Sequence, residues 1–340
     1  MNPAHLFNAT LASASISAAF ELGIFSHLAA KGDLSLDFFC KTHELDASTI
    51  RAIANVLACF DIVVFRDSAL IVGPGKSFDA VYRDKGYFMW LIGGYGYALQ
   101  RLSDLARLVN RPSNPDDRSF VKRDGKYIAM AGRDYGEQFV DCDFEALLNP
   151  SPDDILCDLG CGSAGRLIGL VKKHRGLRGI GIDIDAGAVG LAQDSVRREG
   201  LEDQVQIISG DITALGSHAR FADVTLLCCF FMGHDLWPRD RCLRVLNGIR
   251  ACFPNVTRFL LCDTYNSELK PALDTPIFTL GFEFLHSVMG QYIPSLREWS
   301  EIFSESQWRC QDVRTIGIPY SAIFVLSPIP DSRRDAVGTP

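Results

Sequence analysis

Apolar residues recur at helical spacing from the start of the chain, through Leu6, Ala12, Ile16, Ala19 and Phe20, and the same period persists to about Ala80. Within that stretch Ser35 precedes Leu36-Asp37-Phe38-Phe39-Cys40, and Asp46-Ala47-Ser48-Thr49 opens a helix through Ile50, Ile53, Leu57 and Phe60. The runs Ile62-Val63-Val64-Phe65 and Leu70-Ile71-Val72 predict a short hairpin, so the pattern is a helix-turn-helix followed by a wing. A glycine- and aromatic-rich segment from Tyr87 to Tyr97 leads into a helix bearing Leu99, Leu102, Leu105 and Leu108, with Trp90 and Tyr97 as candidate pocket walls.

Turn chemistry at Arg111-Pro112-Ser113-Asn114-Pro115-Asp116-Asp117 marks a boundary, and a helical linker from Lys126 to Leu148 ends at a second break, Asn149-Pro150-Ser151-Pro152-Asp153. Beyond it the pattern changes to alternating strands and helices, which predicts a parallel sheet with crossover helices. The strands fall at Ile155 to Asp158, Gly179 to Ile184, Val205 to Ser209, Val224 to Phe230 and Phe259 to Asp263. Cys310 to Pro319 and Ala322 to Leu326 read as a closing antiparallel hairpin. The expected architecture is α/β with a mostly helical module ahead of it: a first domain over 1–110, a helical linker and lid over 111–149, a sheet domain over 150–328 and a loose tail over 329–340.

Composition narrows the function classes. The chain has 340 residues, enough for two domains, and its 47% hydrophobic and 22% charged content is that of an ordinary globular protein. The formal charge of -7 comes without a basic stripe, and the second helix of the helix-turn-helix offers only Arg51 as a cation, which argues against nucleic acid as a partner. The longest membrane-like stretch, Gly86 to Gln100, is too short to span and carries Gly93, Gly94 and Gly96. Eleven cysteines, an odd number with no CxxC pair, read as buried reduced thiols of a cytoplasmic protein.

The first predicted sheet strand runs into Asp158-Leu159-Gly160-Cys161-Gly162-Ser163-Ala164-Gly165, which opens a helix. Gly160, Gly162 and Gly165 satisfy a dinucleotide fingerprint, and Asp183 stands near the place where an acid would hold a ribose, so a dehydrogenase has to be weighed. Asp158 points elsewhere: a carboxylate two residues before the first glycine repels a pyrophosphate and attracts an amino group or a sulfonium. A second acid-containing turn, Gly210-Asp211-Ile212, follows the third strand, where a carboxylate can meet an adenine amino group.

These motifs resemble those of the class I S-adenosylmethionine-dependent methyltransferases, D-x-G-x-G, an acid ending the second strand, and G-D with an apolar residue after the third. The resemblance implies S-adenosylmethionine as cofactor. Asp158, Gly160 and Gly162 would then face its methionine part, Asp183 and Ile184 its ribose side, Asp211 and Ile212 its adenine, and Phe230 would complete the set. With the helical module ahead of it, the chain is similar to small-molecule O-methyltransferases that carry an N-terminal winged-helix dimerisation domain, which implies a homodimer.

Two histidines stand apart from the rest. His234-Asp235 follows the fourth strand directly, and His286 lies in Phe282-Glu283-Phe284-Leu285-His286, a helix after the fifth strand that can cover the same mouth. By resemblance to the O-methyltransferases, His234 would be a general base, a role that suits a free imidazole, with its pKa near ~6.5. Two imidazoles and a carboxylate also form a facial triad, so His234, Asp235 and His286 are candidate ligands for iron or zinc. That constellation resembles metal-dependent 2-oxo acid C-methyltransferases of the phenylpyruvate type, whose products feed 3-methyl amino acids in peptide natural products. A 2-oxo acid chelates a metal that stabilises its enolate, whereas a phenol needs no chelate. Glu283 shares the helical face of His286 and is a candidate supporting acceptor or even a ligand. Arg123 is the candidate partner of the substrate carboxylate, with Arg118 and Arg133 as rivals, so catalysis is expected to rest on His234, Asp235, His286 and Arg123.

Overall fold

The structure is a computed structural model and describes residues 2–66, 70–113, 120–216 and 218–330. The chain divides into two compact units, Met1–Tyr135 and Gly136–Pro340.

In the first unit α1 (Pro3–Glu21) and α2 (Ile24–Lys31) precede β1 (Leu34–Ser35), α3 (Leu36–Thr42), α4 (Ala47–Ala58), β2 (Val63–Arg66) and β3 (Ile71–Pro74). β3 pairs antiparallel with both β2 and β1, so the predicted hairpin carries a third short strand. Asp46 caps α4 by accepting from the Thr49 backbone N–H at 2.8 Å. Phe25, Leu28, Leu34 and Leu57 fill the core between these elements. α5 (Phe78–Phe88) continues through a π-helical turn into α6 (Tyr95–Gln100) and α7 (Leu102–Leu105). The helix expected to run through Leu108 is thus broken at Arg101, and Leu108 is 87% exposed. Gly93 and Gly94 lie upstream of that break, where Tyr127 and Ile128 pack against them.

α8 (Gly125–Phe139) crosses the division between the units, and α9 (Asp141–Leu148) follows after a break at Val140, so the predicted linker is two helices. The second unit then alternates β4 (Ile155–Leu159), α10 (Gly165–Lys173), β5 (Arg178–Asp183), α11 (Ala186–Arg198), β6 (Val205–Ser209), β7 (Leu226–Phe230), α12 (Arg239–Cys252) and β8 (Arg258–Thr264). α13 (Thr279–Met289), α14 (Leu296–Glu305), β9 (Trp308–Thr315) and β10 (Ser321–Pro328) complete it.

The sheet has seven strands in the order β6-β5-β4-β7-β8-β10-β9. The first five are parallel, and β10 runs antiparallel between β8 and β9. Every residue of β4 is buried, as both-face coverage by crossover helices requires. Trp299, Trp308, Phe259, Phe303 and Phe324 pack the β8–β10 end. The order reverses between β4 and β7, and at such a switch point the loops after the strands open a crevice for ligands. The tail expected from residue 329 lies, from 331 onward, outside the described residues.

Candidate active site

Three strand ends build one wall of the crevice. After β4 the chain turns through Gly160 and Gly162, with φ of 77° and 54°, a region open to glycine and strained for other residues. The Gly160 and Cys161 N–H groups both donate to the Ile182 carbonyl, which draws the loop against β5. Asp183, at the end of β5, accepts from the Gly162 N–H through Oδ2 and from the Asp185 N–H through Oδ1, each at 2.9 Å. This carboxylate therefore holds the glycine loop in register with β5. Asp211 accepts from the Thr213 N–H and hydroxyl and caps the turn Ile212–Ala214. Ile212 is buried beneath it, while Ile184 is exposed beside Asp183.

Asp158 is 4% exposed and accepts from the Cys228 thiol across the β4–β7 ladder at 3.3 Å. Burial raises its pKa above the ordinary carboxylate value, with Asp183 adding to the rise, while the Arg166 guanidinium and the Cys228 thiol oppose it. A buried carboxylate of this kind is better stabilised by a cation placed against it than by water.

The second wall is built around His234. β7 ends at Phe230, and the short 3-10 turn Gly233–Leu236 lifts His234 towards β8. Asp263, fully buried near the end of β8, takes the His234 Nδ1–H at 2.8 Å through Oδ1 and the His234 backbone N–H at 2.5 Å through Oδ2. It also accepts from the Thr264 N–H at 2.8 Å. Gly233 makes this approach possible, because a Cβ there would stand 2.7 Å from Asp263 Oδ2.

His286 comes down from α13 with Nδ1 2.7 Å from the Phe282 carbonyl, and its Nε2 lies 3.2 Å from His234 Nε2. Phe282 packs on both rings. A carbonyl accepts only, so His286 Nδ1 carries the proton, and the carboxylate places the His234 proton on Nδ1 in the same way. With both rings neutral, both Nε2 atoms present lone pairs to one point; with one ring protonated, its Nε2–H donates to the other Nε2 at the same 3.2 Å. Their separation is that of two ligands ~2.0–2.1 Å from one metal ion and about 100° apart, and each opposite nitrogen is anchored as in metal-bound histidines. As a two-nitrogen donor set the residues fit a metal.

The predicted third ligand faces elsewhere. Asp235 Oδ1 accepts from the Gln291 side-chain amide. Among the described residues no group of three or more His, Cys, Asp or Glu side chains stands together in a metal-holding arrangement. Glu283 accepts from the Ser267 N–H at 2.6 Å. The remaining predicted residues belong to the first unit. Arg123 and Arg133 are exposed there, Trp90 packs buried against Tyr95, and Tyr97 lines a cavity of about 230 Å³ with Arg101, Phe120 and Lys122. Arg118 lies outside the described residues. Asp263 and Gln291 did not emerge from the sequence; an acid at the end of a parallel strand was the available signal for the first of them.

A parallel sheet with this strand order, an antiparallel final pair, a glycine loop after its first strand, an acid ending the second and another in the turn after the third defines a class I methyltransferase fold. Residues 156–253 match a family described as a methyltransferase domain. Over 338 residues, 95% of this chain and 96% of the relative, the sequence is 32% identical to methyltransferase ungE′ of Aspergillus campestris. It is 29% identical to the indolepyruvate C-methyltransferase of Streptomyces griseus over 206 residues, 59% of this chain and 60% of that one. Among solved structures, the pyocyanin biosynthetic protein PhzM shares the fold with a TM-score of 0.63 and 15% identity, covering 95% of this chain and 97% of its own. Mitomycin 7-O-methyltransferase MmcR shares it at 0.62 and 16%, covering 95% and 96%. The chain belongs to the methyltransferase family. It is an S-adenosylmethionine-dependent enzyme, and among the described residues no single helix is long and apolar enough to cross a membrane.

Proposed function

We propose that this enzyme transfers the methyl group to carbon 3 of a 2-oxo acid with the help of an iron or zinc ion held by His234 and His286. The carrying observation is the pair of imidazole Nε2 atoms 3.2 Å apart, each with its Nδ1 proton committed to an acceptor. The similarity to an indolepyruvate C-methyltransferase, whose named substrate is an aromatic 2-oxo acid, supports it. A metal bound there supplies Lewis acidity beside the substrate carbonyl.

The protein's own residues do the rest. Asp158 and the loop at Gly160 and Gly162 take the cationic amino-acid end of the cofactor, Asp183 and Ile184 the ribose side, Asp211 and Ile212 the adenine, and Phe230 lies beside the methyl-donor end. Asp263 keeps His234 in the tautomer that offers Nε2 to the site. The protein works as a cytoplasmic homodimer joined through its first unit, whose α1 exposes Leu6, Phe7 and Leu11.

A second reading rests on the Asp263–His234 pair alone, which also suits His234 as general base in metal-free O-methylation. Metal analysis of the purified enzyme, followed by assays on indolepyruvate, phenylpyruvate and a panel of phenols with and without chelator, separates the two. Stoichiometric metal and loss of 2-oxo acid turnover on chelation are expected. Undiminished turnover after complete metal removal would falsify the metal reading.

Asp158 gives a pH prediction. Holding a cation requires its ionised form, so cofactor affinity is expected to fall as pH drops through its pKa, and to do so at higher pH than an ordinary carboxylate near ~3.9 would. Because that pKa is raised in the folded chain, its stabilising contribution to the ligand-free protein is full below the ordinary value. The contribution is lost as pH rises through the folded one. Titration calorimetry across pH checks the affinity trend, and Asp158→Asn should flatten it.

A further inference from the structure

Arg166, in the first turn of α10, is held by three features that leave two of its three guanidinium nitrogens uncommitted. Nε donates to Asp141 Oδ1 of α9 at 3.0 Å. The guanidinium carbon stands 3.6 Å over the centre of the Phe230 ring, which is itself braced edge-on by Phe144 at 4.6 Å. Gly136 gives the end of the side chain its room, since a Cβ there would stand 2.7 Å from Nη2. Among the described residues Nη1 and Nη2 donate no hydrogen bond, although a guanidinium carries five N–H donors.

The direction of this fork follows from the sheet. Asp158 is paired in register with Cys228, and Phe230 with Cys262, so these side chains share one face at the carboxyl ends of β4, β7 and β8. The Arg166 guanidinium, stacked on the Phe230 ring, therefore stands over the face that carries Asp158, and its charge opposes the rise that burial imposes on the Asp158 pKa. The glycine loop runs between Asp158 and Arg166 in the chain. The crevice thus offers an anion and a cation on either side of a backbone loop, and an α-amino acid presents the opposite charges on adjacent atoms.

We propose that Arg166 binds the carboxylate at the amino-acid end of the cofactor through Nη1 and Nη2, as the counterpart of Asp158 at the ammonium. The inference rests on the placement of that end at Asp158 and deepens it. Asp141 and Phe230 act as positioning residues, fixing the plane of the fork so that a carboxylate can be met by two parallel hydrogen bonds. A lysine keeps the charge and loses that geometry.

The test compares S-adenosylhomocysteine, which carries the amino-acid end, with 5′-methylthioadenosine, which lacks it. In Arg166→Gln, S-adenosylhomocysteine binding by calorimetry is expected to weaken by about 10- to 100-fold, with 5′-methylthioadenosine binding unchanged. Arg166→Lys should show an intermediate loss, and unchanged melting temperatures confirm that both variants fold. Equal weakening of both ligands, or of neither, overturns the proposal. So does a rise in KM for the 2-oxo acid with cofactor affinity intact, which would assign the fork to the substrate carboxylate. Asp158→Asn separates the underlying reading: if it too leaves S-adenosylhomocysteine binding untouched, the amino-acid end does not lie at this loop.

Discussion

Asp263→Asn is expected to lower kcat by about 10³- to 10⁴-fold while cofactor affinity stays close to that of the unmodified enzyme, the scale on which a misplaced imidazole proton acts. Both oxygens of Asp263 face donors: Oδ1 takes the His234 Nδ1–H and the Thr264 N–H, and Oδ2 takes the His234 backbone N–H. An amide must turn its NH₂ towards one of those sides. If it faces the ring, Nδ1 becomes the acceptor and the proton moves to Nε2, which then points a hydrogen at His286 in place of a lone pair. If it faces the backbone, a donor meets a donor at the His234 amide in a site that water does not reach. Either outcome removes the Nε2 lone pair or shifts the ring. Removing the carboxylate entirely with Asp263→Ala leaves buried donors unsatisfied and is expected to cost about 3–5 kcal/mol of stability besides. Steady-state kinetics, cofactor titration and a urea melt on the two variants separate tautomer from fold.

His286→Ala is expected to lower metal affinity by more than the ~10- to 100-fold that an outer partner costs, and to abolish turnover of a 2-oxo acid. Its ring is 4% exposed and supplies one of the two lone pairs that define the donor set. The same substitution tests the metal-free reading, in which His286 is only a neighbour of the base and a phenol would still be methylated at a substantial rate. Metal content by emission spectroscopy is the decisive readout, because it does not depend on choosing the right substrate. His286→Gln, which keeps a polar side chain of similar length, guards against a simple packing defect.

What the chain reveals before it folds depends on the range of the interaction. The parallel strands were legible because a strand covered on both faces needs a near-continuous apolar run, as in 155–157 of β4 and Leu226–Phe230. The glycine loop and the acids after it were legible because they are local to the strand ends. His234 and His286 could be singled out, yet their meeting at 3.2 Å depends on how α13 returns over β8, which no local period encodes. Adjacency in sequence was the weaker guide. His234 and Asp235 sit on a 3-10 turn, where successive side chains diverge by about 120°, so one faces Asp263 and His286 while the other faces Gln291. Nothing local singles out Arg166, because its stacking on Phe230 joins residues far apart in the chain. The break at Arg101 shows the reverse case, in which regularly spaced leucines suggested more helix than the chain forms.

Gly233 carries no functional group, and its backbone does not adopt the left-handed conformation that usually explains a glycine. Its indispensability comes from crowding: Asp263 Oδ2, Leu261 and Trp299 all stand within 3.2 Å of where a methyl group would lie. In a scan of mutational tolerance this position should therefore group with His234 and Asp263 and away from the loop glycines. Natural variation in the enzyme's chemistry would be free to change what His234 faces, but not the empty space that lets a carboxylate reach the back of its ring.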